Sequence, residues 1–335
     1  MSPAKKIKWM LVCLLLCSSI TLVFAWGFWA HKRINHIAVF TLPPEMIGFY
    51  KKNIDYVTDH AVDPDKRRYA FAEEAPRHYI DLDHYGAHPL DSVPKFWKAA
   101  VEKFSEDTLN AYGIVPWWID KMLSRLTQAF KDKDPVKILK LSADIGHYIA
   151  DAHVPLHCTE NYNGQFTNQV GIHGFWESRV PELLGKEYDY FTGRAQFIDK
   201  PMDKIWEIIT ESFNAKDSVL EFEAQLNQNF LQDKKYAFEQ RGNTTVKVYS
   251  ADYTTAYSKM LNGMVERRLR SSIIDVGSFW YTAWINAGSP DLDNLQDAVL
   301  SDAEKKQLEE EDKMWRTGKV KSNKGHNEED TESKP

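Results

Sequence analysis

Five side chains suited to a borderline metal fall between positions 147 and 177: His147 and Asp151 four apart, His157 just behind Pro155, and His173 and Glu177 again four apart. Residues i and i+4 share one face of a helix. Each pair can therefore turn an imidazole and a carboxylate towards one cation, and nitrogen with carboxylate oxygen is a donor set that Zn²⁺ accepts. One such pair by itself reads as a surface ion pair, because short motifs match by chance. Two pairs with His157 between them point to a site for more than one metal.

The other histidines place the chemistry in the front half of the chain. Of the 11, all but one lie from His31 to His173, and the last sits near the C-terminus. His31 and His78 are further candidate ligands, and Asp63 precedes His78 by fifteen residues, with Asp59 and Asp65 as nearby alternatives. His36, His60, His84, His88 and His153 read as ordinary surface or core histidines; His153, nearest the cluster, could stand behind a ligand.

The elements that must hold these residues read as helices. Trp29 to Phe40 has apolar residues at helical spacing and stops at Pro43-Pro44, and Glu45 to Val57 starts a second helix. Residues 58–91 are rich in turns. Pro94 to Lys131 gives two helical runs broken near Gly113, and Pro135 to Ala152 is the central helix, carrying His147 and Asp151. Pro201 to Asp233 and Ala251 to Ala287 are two more long patterns without histidine, which reads as scaffold. No stretch shows sustained strand alternation with hairpin turns. The predicted fold is all-α, a single helical-bundle domain over residues 26–300.

Both ends differ from this domain. Lys5, Lys6 and Lys8 precede an apolar run, and Val23 and Ala25 suit a signal peptidase, so residues 1–25 read as a signal peptide and the protein as exported. An uncleaved membrane anchor and a lipoprotein at Cys17 are the competing readings. Cleavage leaves Cys158 as the single cysteine, which excludes an internal disulfide. It also removes three lysines and no acid, taking the formal charge from −6 to −9, against a protein that binds nucleic acid through a broad basic surface. Residues 301–335 turn charged; EKKQLEEEDK could form a helical turn or two, and the rest is expected to be disordered.

Taken together, W-G-x-x-x-H at Trp26 to His31, an aspartate followed by R-H-Y-I-D, then G-H-Y-I-A-D-A-H-V-P-L-H and H-G-F-W-E resemble the zinc-dependent phospholipase C and S1/P1 nuclease superfamily. The resemblance implies a helical domain of that type, a phosphodiesterase using metal-activated water, and three zinc ions. It implies one zinc held by Asp63, His78, His147 and Asp151, a second by His157, His173 and Glu177, and a third by His31, Asp151 and the amine and carbonyl oxygen of Trp26. A free terminal amine with its own carbonyl forms a chelate that an internal tryptophan cannot offer. The resemblance also implies a catalytic role for Asp63 beside the attacking water. Lys66 or Arg67 could bind a phosphate oxygen; otherwise they are solvated charges.

The two branches differ in how the far end of the substrate is held. The short spacing from Trp26 to His31, and Tyr79 and Asp81 in H-Y-I-D, resemble the nuclease branch, where a base is stacked and its edge hydrogen-bonded. Glu177 and the short spacer from His157 to His173 look more like phospholipase C. Single-stranded nucleic acid or nucleotides are the expected substrate, with phosphatidylcholine-type phospholipid as the alternative, and no stable protein partner is expected. A reading from another class is a non-catalytic exported protein that binds zinc for stability. Its weakness is the donor set, since structural zinc sites favour cysteine.

Overall fold

The structure, a computed structural model, describes residues 27–241, 244–295, 300–317 and 326. The signal peptide expected over residues 1–25, and Trp26, lie outside these. The architecture is all-α with one two-stranded hairpin. Its principal helices are α1 (Gly27–Ala38), α2 (Asp63–Arg67), α3 (Val115–Lys131), α4 (Pro135–Ala152), α5 (Pro201–Asn229), α6 (Ala251–Met260), α7 (Met264–Asn286) and α8 (Asp302–Arg316). No helix among the described residues is long and apolar enough to cross a membrane.

Helix α4 is the axis of the domain. Asp134 caps it by accepting the Lys137 amide at 3.1 Å, and Pro135 supplies a first turn that needs no amide donor. From Ser142 to Ala152 every residue is buried, as expected of a helix enclosed on all sides. Helices α1, α3 and α7 pack around it. On α7 the Trp280 ring stacks on Tyr50 with centroids 4.9 Å apart, and its indole N–H donates to the Ser142 carbonyl at 3.0 Å. Gly146 lets α1 come close: a Cβ there would lie 2.1 Å from Asn35 Oδ1. Asn35 in turn donates to the carbonyls of Val57 and Ala143, each at 3.1 Å.

Residues 78–81 thread between two other segments. The Ile80 amide donates to the His157 carbonyl at 2.9 Å, the Asp81 amide to Tyr112 at 2.7 Å, and the Val115 amide to Tyr79 at 3.2 Å. Gly113 is required here on two counts, a φ of +91° and a Tyr79 carbonyl oxygen that would sit 2.1 Å from any Cβ.

Two stretches differ from their predicted form. An antiparallel hairpin pairs β1 (Tyr236–Arg241) with β2 (Thr244–Tyr249), Tyr236 opposite Tyr249. It escapes a search for alternation because its exposed face carries Tyr236 and Phe238 while its inner face carries Ala237 and Glu239, so hydrophobicity does not follow the pleat. The charged segment after Ser301 holds the full helix α8, started by a capping box between Ser301 and Glu304. It packs beside α2, with Trp315 against Phe28, ring centroids 5.7 Å apart.

Candidate metal centre

Four donors converge where α1, α2 and α4 meet the 78–81 segment. His78 Nδ1, His147 Nε2 and Asp151 Oδ2 lie 2.8 to 3.1 Å from one another. Asp65 Oδ1 stands 3.3 Å from His147 Nε2 and 3.8 Å from His78 Nδ1. Donors at zinc's usual bond lengths in a tetrahedron are about 3.3 Å apart. This set therefore has the size and chemistry of a tetrahedral N₂O₂ site.

A second set, His157 Nε2, His173 Nε2 and Glu177, has separations of 3.1 to 3.5 Å. It offers three side-chain donors, the number that leaves a fourth position of a tetrahedral cation open. Glu177 reaches it from a π-helical turn, Phe175–Arg179, a local widening common at functional sites. The Gly27 amide donates to Ser178 at 2.9 Å and so ties the start of α1 to that turn. A third approach is formed by His31, whose Nε2 lies 3.4 Å from Asp151 Oδ1 and whose ring stacks on His147. The two oxygens of Asp151 thus face different groups of imidazoles, an arrangement suited to a bridge.

The surroundings fix which nitrogen points inward. His147 Nδ1 is 2.8 Å from the Ala61 carbonyl, His157 Nδ1 is 2.6 Å from that of His78, and His173 Nδ1 is 3.2 Å from that of Tyr162. With Nδ1–H donating outward, each Nε2 is left as a lone-pair donor, as metal-bound histidines require. Both oxygens of Asp65 and Glu177, and Oδ1 of Asp151, are buried without a hydrogen-bond donor. Leaving such groups unsatisfied is costly, so the cluster calls for cations.

Its electrostatics agree. Burial works against charge on Asp151 and Glu177, yet His147 and His157 hold Asp151 well below the usual carboxylate range, and His173 and His157 lower Glu177. Burial likewise opposes protonation of His147 and His157, but Asp151 and Asp65 keep His147 well above its ordinary value, and Asp151 with Glu177 pushes His157 up to about 9. The box is anionic and favours positive charge.

Residues 30–240 match the family described as zinc dependent phospholipase C. The chain belongs to this family. No match was found among curated proteins. Membership in a zinc dependent phospholipase C family, a branch of the superfamily that includes the S1/P1 nucleases, accounts for the helical fold and for a donor set of His, Asp and Glu that fits zinc.

Of the residues singled out in the sequence, His31, His78, His147, Asp151, His157, His173 and Glu177 converge, and Trp26 lies outside the described residues. Asp63, expected as a ligand and catalytic group, does not face the cluster. Its carboxylate lies 2.5 Å from His60 Nδ1 and accepts from Lys66 Nζ at 3.0 Å, while Asp65, two residues on, turns inward. The five-residue helix α2 puts these two carboxylates on different sides, which spacing from His78 could not reveal. Arg67, expected at phosphate, is consumed by Asp144 at 3.1 Å, Glu74 at 3.6 Å and Tyr148 at 3.3 Å, and Lys66 by Asp63. Arg68 lines the cavity beside His157 and His173, as does Tyr162. Neither was singled out; Arg68 is only the last of three basic residues in a row, and Tyr162 carries no motif. Tyr79 lines the same cavity, and burial, with Asp83 and Glu160, holds the nearby Asp81 carboxyl well above its ordinary range. His153 faces away, 3.1 Å from Asp275 on α7.

Proposed function

We propose that this member of the family is an exported phosphodiesterase that holds three zinc ions and cleaves phospholipid at its phosphate ester. The observation that carries the reading is the pairing of a four-donor set of tetrahedral size with an adjacent three-donor set. Asp65, His78, His147 and Asp151 hold one ion, and His157, His173 and Glu177 the second. His31 and Asp151 serve the third, together with the amine and carbonyl of a Trp26 freed by cleavage after Ala25. Zinc, when bound, lowers the pKa of coordinated water and neutralises charge on phosphate. Asp65 takes the role assigned to Asp63 in the sequence, and Arg68 takes the phosphate-binding role from Lys66 and Arg67.

The family's description supports phospholipid over the nucleic acid favoured from sequence. A second reading, single-stranded nucleic acid or nucleotides, draws on one observation. The Tyr79 and Tyr162 rings flank a slot that takes a flat heterocycle, with Asp81 at its edge.

The test is a parallel assay of the zinc-loaded chain starting at Trp26 on short-chain phosphatidylcholine, single-stranded DNA and RNA, before and after chelation. Lipid turnover that is lost with chelator and regained with zinc is expected. Turnover of nucleic acids alone would replace the substrate and keep the metal assignments. No hydrolysis of any of the three, with unfolding on chelation, would favour a structural zinc protein and overturn the proposal.

A further inference from the structure

Beyond α8, His326 is buried, 5% exposed, in the mouth of the metal centre. Its ring lies between those of Tyr79 and Tyr162, 3.9 Å from each centroid and tilted by only 15° and 12°. Its Nε2 is 2.6 Å from Asp81 Oδ1, and the Arg68 guanidinium donates to its backbone carbonyl. Two aromatic faces, a carboxylate at a ring nitrogen and a cation at an oxygen are the contacts expected of a bound ligand, here supplied by the chain itself. We propose that His326 occupies the substrate slot of its own chain and competes with substrate for it.

Three features support competition over a purely structural contact. The imidazole of His326 stands 6.1 Å from that of His157 and 6.5 Å from that of His173, centroid to centroid, against the three-donor set. A phosphodiester bound there must put one of its two substituents close to this slot. The slot does not depend on the tail for its shape, because Tyr79 and Asp81 are held by backbone bonds to Val115 and Tyr112, and the Tyr162 carbonyl lies beside His173. Finally, the tail sequence KVKSNKGHNEEDTESKP has His326 as its one aromatic ring and offers little apolar surface to anchor it. Among the described residues of the tail beyond α8, the attachment is made by His326, whose ring and carbonyl contacts a better ligand can replace. Its cost to substrate is set by how seldom the slot stands open: a slot open about a tenth of the time raises the apparent dissociation constant about tenfold.

The inhibitory part of this proposal rests on the phosphodiesterase reading, so its test has one arm that needs no activity. In the full zinc-loaded chain, the His326 ring protons should resonate upfield of a solvated histidine, shielded by two tyrosine faces, and should return to the solvated position in Tyr162→Ala. Unshifted resonances in the parent protein would overturn the docking, whatever the protein hydrolyses. In the activity arm, His326→Ala should lower KM about tenfold with kcat and zinc content unchanged. His326→Phe, which keeps a flat ring, should restore part of the higher KM. A raised KM or lost zinc in His326→Ala would make this histidine part of the binding or metal machinery and overturn its role as a competitor. Should none of the phosphodiesters turn over, the functional reading fails and the resonances still decide the docking.

Discussion

Buried carboxylates at two places in this molecule differ in what surrounds them. At the metal centre, Asp65, Asp151 and Glu177 face imidazoles, and both oxygens of Asp65 and Glu177 and Oδ1 of Asp151 receive no hydrogen bond. Beneath the hairpin, Glu223 on α5 is equally buried, 1% exposed, but accepts from Gln169 at 2.7 Å, Lys235 at 3.0 Å and Tyr253 at 2.7 Å. Glu223 is answered by the protein; the other three are left for a cation. Burial alone therefore does not mark a functional acid. What marks it is a buried oxygen whose neighbours could share a metal but cannot satisfy it themselves.

This contrast is broken most severely at Asp151. Asp151→Asn keeps the volume but removes the charge that faces two groups of imidazoles. It should lose more than one zinc, and hydrolysis should fall by well over the roughly 10 to 100-fold cost of altering a residue that only supports a ligand. Metal analysis beside kcat/KM checks this, and full zinc occupancy would rule out a bridge. The neighbouring pair sharpens it. Asp65→Asn should lose zinc from the four-donor set, whereas Asp63→Asn, whose carboxylate serves His60 and Lys66, should keep the full complement. The opposite result would return the ligand role to Asp63.

Glu223→Ala should do the reverse of Asp151→Asn. It strands the Lys235 ammonium, which is 8% exposed and also bonded to Asn227 at 2.7 Å. Breaking a buried pair in this way costs about 3 to 5 kcal/mol. Urea unfolding should show that loss while the zinc content of the folded protein stays unchanged. Zinc loss matching that of Asp151→Asn would mean the two places are not independent.

The sequence made the metal centre legible where its residues are local. The i, i+4 pairs on α4 and across the π-helical turn could be read because helix geometry alone brings them together. The choice between Asp63 and Asp65 could not, since it depends on how one short helix is rotated against α4. Arg67 and Arg68 were indistinguishable for the same reason: Asp144 and Tyr148, distant in sequence, join Glu74 in claiming the first and leave the second at the cavity. The long helices were plain from periodicity. The hairpin was hidden by aromatic residues on its exposed face, and α8 by a composition so charged that its helical order depends on a cap and on packing beside α2.

That cap gives the smallest expected effect and a control for the comparison, because α8 lies beside the metal centre without contributing a donor to it. Ser301 accepts the Glu304 amide at 3.3 Å, and Glu304 returns a bond to the Ser301 amide at 2.8 Å. Ser301→Ala removes one half of this exchange and should cost about 1 kcal/mol. The loss should fall on α8 itself, because a helix end frays locally before the domain unfolds. Hydrogen exchange should therefore quicken in the first turn of α8, with amides of α4 unchanged and zinc fully retained. Faster exchange in α4, or loss of zinc, would show that α8 buttresses the donors through α2, and the metal centre would then extend to a helix that supplies it with no ligand.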